Sequence, residues 1–167
     1  MATSKEPELS SAAAEQQLKG FIAKFEPRNQ ALIRAVRRGL RRRLPSAIEL
    51  VYDNYNFFVI GYGPNERPSD AILSIAAGAS GVGLCFIRGA ALPDPSKVLL
   101  GSGKQTRFVR LPSVATLSEP AVIKLIAVAV AQSRVPLPAR ERGRLIIRSV
   151  SAKQRPRRKP LRRTTAG

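Results

Sequence analysis

The stretch Gly101–Phe108, GSGKQTRF, sets a lysine behind two glycines, the pattern by which phosphate-binding loops wrap a nucleotide. A loop of that kind needs a glycine five residues before its Gly-Lys pair, a serine or threonine after the lysine to hold magnesium, and a helix beyond. Here Val98 and Gln105 occupy the first two positions, and the β-type run TRFVRL follows. All three requirements fail. The stretch reads instead as a turn in which Gly101 and Gly103 supply positive φ and launch a strand.

The remaining chemistry is sparse. Without histidine, a Ser-His-Asp or Cys-His arrangement and a His/Cys zinc site are excluded. Cys85 stands alone in an apolar run, so it forms no intramolecular disulfide and reads as a small buried hydrophobe. The carboxylates Glu49, Asp53, Glu66, Asp70 and Asp94 are left. Glu49 and Asp53 share one strand face, but at about 13 Å apart they are too distant for one acid–base couple, and they read as solvated sheet edge or turn caps. No catalytic residue, metal site or cofactor is expected. Tyr52, Tyr55 and Tyr62 lie with Asn54 and Asn56 beside a hairpin, where the cluster, Tyr52, Asn54 and Tyr55 foremost, could line a shallow pocket or stack a base.

Charge is the stronger signal. With 29 Lys and Arg against 11 Asp and Glu, the net charge of +18 favours polyanionic partners. From Arg134 onward there are 12 basic residues and one acid, Glu141, while six arginines fall between Arg34 and Arg43. The expected anion-binding residues are Arg34, Arg38, Arg41 and Arg42 on a helix, Lys104 and Arg107 beside the Gly-Lys turn, and Arg155, Arg157, Arg158 and Lys159 in the tail. Arginine forks match backbone phosphates, and no base-reading motif is recognisable, so nucleic acid bound without sequence preference is the expected partner.

These residues must be carried by a fold, and 44% hydrophobic residues in 167 suffice for one core. Ser10 or Ser11 caps a helix with Ala14, Leu18, Phe21, Ile22 and Phe25 at helical spacing, ending at Pro27. A second helix runs to about Leu44 with Ile33, Val36 and Leu40 inward and the arginines outward. AIELVYDNYNFFVIGYGPN reads as a hairpin, AILSIAAG and GVGLCFIR as another, and KQTRFVRL as a fifth strand. Ser118 caps a final helix, EPAVIKLIAVAVAQS. The order predicts an α+β two-layer sandwich, an antiparallel sheet of about five strands with helices on one face. Residues 1–9 are expected to be flexible, 10–133 the domain, 134–151 a linker with a possible extra strand in LIIRSV, and 152–167 a disordered basic tail whose removal scarcely changes the thermal midpoint. The uncharged run Ala71–Ile87 is broken by glycines and reads as strands, not a membrane span. The N-terminus lacks signal-peptide features, so a cytoplasmic location is expected.

The segments ALIRAVRRGLRRRLPSAIELVYDNYNFF, the Gly-Lys turn before TRFVRLP, EPAVIKLIAVAVAQS and GRLIIRSVSAKQRPRR together resemble the bacterial YdhG-like domain, of unknown function and related in fold to frataxin and the YjbR proteins. The resemblance covers roughly Leu18–Ser133. It implies the two-layer architecture above, with Thr106 and Phe108 facing inward and Arg107 outward. Some relatives are described as frataxin-like iron binders through carboxylates on the first core helix, where this chain displays arginine. Iron binding or delivery is therefore the alternative to polyanion binding, and a small-molecule module built on Tyr52, Tyr55 and the sheet face is a further one.

Overall fold

The Ser10 hydroxyl accepts a hydrogen bond from the Ala13 amide at 3.2 Å and so starts α1 (Ser11–Ile22), in a computed structural model that describes residues 9–161. Ala14, Leu18, Phe21 and Ile22 form its buried stripe. Pro27 sits in the first turn of α2 (Pro27–Arg43), where its missing N–H costs nothing, and Ile33, Val36 and Leu40 turn inward. Phe21 and Phe25 both pack on Phe58 of the sheet, with ring centroids 6.3 and 5.8 Å away. α3 (Pro120–Ala131) departs from expectation at its start. A short 3-10 turn, Val114–Ser118, precedes it, and Glu119 rather than Ser118 occupies the cap, without a side-chain capping bond.

Five strands follow one another as antiparallel neighbours: β1 (Ile48–Asp53), β2 (Phe58–Gly63), β3 (Leu73–Gly78), β4 (Gly81–Phe86) and β5 (Arg107–Arg110). The expectation of a purely antiparallel five-stranded sheet needs correction. LIIRSV forms β6 (Leu145–Val150), which lies parallel to β1, so the sheet is mixed and six-stranded in the order β5-β4-β3-β2-β1-β6. The physical reason is the free edge of β1, which β6 pairs while Leu145 and Ile147 add to the core. Entry into β6 is tight. Gly143 passes so close to Ala47 that a Cβ there would fall on the Ala47 carbonyl, and its amide donates to the Pro45 carbonyl at 3.0 Å.

Val51, Ile60, Ile75 and Leu84 mark the sheet face that packs with the helices in a single hydrophobic core, giving the α+β architecture. Register decides the facing of β5. Leu84 pairs with Val109, Phe86 with Arg107 and Cys85 with Phe108. Because Leu84 and Phe86 face the core, Val109 and Arg107 share their side and Phe108 lies opposite, the reverse of the expected assignment. A phase error of one residue exchanges every side chain between faces. Gly101 has φ 111° and turns the chain toward β5 as expected, whereas the positive-φ glycines among the described residues do not include Gly103.

Candidate functional site

Glu49 and Asp53 do lie on one face of β1, but it is the buried face, not a solvated edge. Each is neutralised from outside the sheet. The Arg37 guanidinium donates to both Glu49 oxygens at 2.9 Å through Nε and Nη2, and to both Glu15 oxygens at 3.0 and 2.7 Å through Nη1 and the shared Nη2. The Tyr62 hydroxyl donates to Glu49 Oε2 at 2.8 Å. This pins α2 to α1 and β1 together. The hydrogen bond from Arg37 holds the Glu15 carboxyl below its usual range, and burial, reinforced by the Glu49 charge, pushes the Tyr62 phenol well above its usual one. Burial opposes the charge on Arg37, but its carboxylate partners overcome this and raise its pKa further.

At the other end of β1, Asp53 holds two cations. Lys24 Nζ donates to Oδ2 at 2.6 Å, and Arg157 Nη2 to Oδ1 at 2.9 Å and to the Asn54 carbonyl at 2.6 Å. Burial raises the Asp53 carboxyl, but the hydrogen bonds from its partners outweigh that and leave it below its ordinary value. The expected disordered tail is thus corrected for residues 152–161; residues 162–167 lie outside the described residues. Gln154 Nε2 donates to the Asp53 carbonyl, the Arg155 amide to the Tyr55 carbonyl at 2.9 Å, and Arg158 Nε to the Lys24 carbonyl at 3.1 Å. Composition predicts solvation here because the segment has no apolar stripe. A charged anchor in the core supplies what apolar periodicity does not.

The expected anion-binding residues therefore divide. Arg157 is buried against Asp53, Arg158 closes the C-terminal end of α1, and the Arg155 guanidinium lies 5.7 Å from the centre of the Tyr55 ring. The Lys159 amide donates to Glu26, Arg107 folds back onto the Gly103 and Thr106 carbonyls, and Lys104 is exposed on the turn. On α2 the outcome differs. Arg34, Arg38, Arg41 and Arg42 are all exposed, and Arg38, Arg41 and Arg42 border a shallow notch. Arg41 lies 3.8 Å from Glu49, whereas Arg34, Arg38 and Arg42 make no ion pair among the described residues.

Tyr52, Asn54 and Tyr55 do not share one surface. Tyr52 alternates with the core-facing Val51 and Asp53 and so lies on the far side of the sheet, with its hydroxyl buried and unpartnered. Asn54 Oδ1 accepts from the Ser149 hydroxyl at 2.7 Å, and Tyr55 is exposed in the β1–β2 turn. Cys85 is partly buried on the sheet, and desolvation raises its thiol pKa.

Among the described residues no three Cys, Asp or Glu gather as a metal site, and no helix is long and apolar enough to cross a membrane. Sequence reasoning did not pair Arg37 and Tyr62 with Glu49, nor Lys24 with Asp53; the one signal for these partners was the pair of acids in phase with Val51 in an otherwise apolar strand. Comparison with family models finds no match, and neither the curated proteins nor the solved structures give a significant one.

Proposed function

We propose that this protein binds polyanions, nucleic acid without sequence preference foremost, through the solvent face of α2. One observation carries this reading: Arg34, Arg38 and Arg42 stand exposed on a rigid, core-anchored helix with no acidic partner among the described residues. Positions 34, 38, 41 and 42 follow helical spacing and form one stripe, about 12 Å long at 1.5 Å per residue. Guanidinium forks on a fixed helix lose little freedom on meeting phosphate oxygens. Favourable interaction with the helix C-terminal dipole accounts for cations in the last turn, as at Arg41 and Arg42, but not for Arg34 and Arg38, which lie further back. Kinship with YdhG-like domains is part of the same proposal, supported by the motifs quoted above and by helices gathered on one sheet face.

The test keeps the full chain, because the tail now has a structural part. Replacing Arg34, Arg38, Arg41 and Arg42 with glutamine should leave the melting curve nearly unchanged while weakening binding to duplex DNA. If these four neutralise separate phosphates, the slope of log affinity against log salt should flatten by roughly three to four, at about 0.9 per phosphate. Unchanged affinity and slope in the folded variant would show that the α2 face binds no polyanion.

A further inference from the structure

A second concavity lies away from the arginine stripe, where the last turn of α3 overhangs the end of the sheet. Two 3-10 turns, Pro68–Asp70 before β3 and Gly89–Ala91 after β4, hold its sides open. Its apolar surface is made by Ile72, Leu92 and Ala129, backed by the fully buried Phe86, and its volume is about 180 Å³. Ile72 and Phe86 belong to the hydrophobic core, so this surface is anchored rather than a loop that could collapse into the space. An apolar cavity of about 150 Å³ is enough to admit benzene.

The polar groups are few and of definite sign. Arg88 and Arg134 line the recess and are exposed, and their guanidinium groups make no ion pair or hydrogen bond among the described residues. Asp70 is the single acid, and its Oδ2 already accepts from Asn65 Nδ2 at 3.0 Å. Two free guanidinium groups against one engaged carboxylate favour a single negative charge on the ligand. The carboxylate, together with the carbonyl end of α3, disfavours a more highly charged one.

We propose that this recess binds a small organic monocarboxylate with a compact apolar body, its ring or branched chain against Ile72, Leu92 and Ala129 and its carboxylate between Arg88 and Arg134. The site is independent of the α2 face. Phosphate-rich polymers meet the stripe of arginines, whereas the recess has room for one ring.

Benzoate tests this directly, followed by backbone amide NMR on the full chain. Benzoate should give saturable shifts at Ile72, Phe86, Ala129 and Ser133. Acetate, which has the charge without the body, should give none there, and benzyl alcohol, which has the body without the charge, should bind about tenfold more weakly or worse. The double variant Arg88→Gln/Arg134→Gln changes only exposed side chains and should weaken benzoate by a similar factor. Ala129→Leu should fill the recess and abolish binding. The α2 quadruple variant should bind benzoate as before, which separates this proposal from the polyanion reading. Shifts confined to the α2 arginines, equal shifts from acetate, or undiminished binding by the Arg88/Arg134 double variant would each overturn the assignment.

Discussion

Asp53→Asn removes the one carboxylate that lies between Lys24 and Arg157, and the two cations respond differently. Lys24 is 43% exposed and can turn to water, whereas the Arg157 side chain is 2% exposed and has Nε and Nη1 already unpartnered. Breaking a buried pair from one side typically costs about 3–5 kcal/mol. For a chain of this size each kcal/mol lowers the midpoint by about 2–4 °C, so a fall of roughly 6–20 °C is expected. Undocking of the C-terminal segment sets the upper bound, because Arg157 can escape once residues 151–158 peel away. Arg157→Met should cost much less, under about 2 kcal/mol: Lys24 still compensates Asp53, and two unpartnered buried nitrogens disappear with the guanidinium. Thermal and urea melts measure the totals. Hydrogen exchange then locates the change, since the Ser151 and Arg155 amides, which donate to the Asp53 and Tyr55 carbonyls, should lose protection before those of β3 and β4. A midpoint moved by less than about 2 °C in Asp53→Asn, or a larger loss in Arg157→Met than in Asp53→Asn, would refute the reasoning.

Asp53 and Glu15 both have lowered carboxyl pKa values, so their contribution to stability is present at neutral pH and is lost as pH falls below about 4, through their folded values. Urea melts across the acid range should show that loss in the parent chain and a shallower one in Asp53→Asn. Tyr62→Phe deletes a hydrogen bond to a buried carboxylate that retains Arg37, and should cost about 1.5–3 kcal/mol in a urea melt. In an alkaline absorbance titration, one of the three tyrosines should stay un-ionised past the ordinary phenol range. Its raised pKa means that the associated stability is lost as pH climbs above about 10.

Local pattern carried much of this structure. Ile33, Val36 and Leu40 fall three and four apart, so the inward stripe of α2 and the outward arginines are legible without coordinates. The hairpins follow from apolar runs broken at Asn54 and Ser80. Facing was harder. In β1 the out-of-phase Leu50 and the in-phase Val51 are both buried, so alternation places Glu49 and Asp53 together without saying on which side. The partner of LIIRSV was illegible for a different reason: parallel pairing with a strand nearly a hundred residues earlier leaves no mark on either segment. The tail shows the same limit. Its arginines look alike in sequence, yet one fills a buried site that exists only after Asp53 and Asn54 are in place.

The distance along the chain between Asp53 and Arg157, 104 residues, has a consequence for biosynthesis. Translation at about 5–20 residues per second adds that stretch in roughly 5–20 s. For most of that interval β1 has been made while its β6 neighbour has not, and the second counter-ion of Asp53 arrives only at its end. The emerging polypeptide can form its first two helices and its hairpins early, but it cannot close the β1 edge until the last strand has cleared the ribosome. The nascent chain therefore carries an open strand edge, a place for chaperone capture or mispairing with a neighbouring nascent chain, and closure of that edge waits on the synthesis of β6.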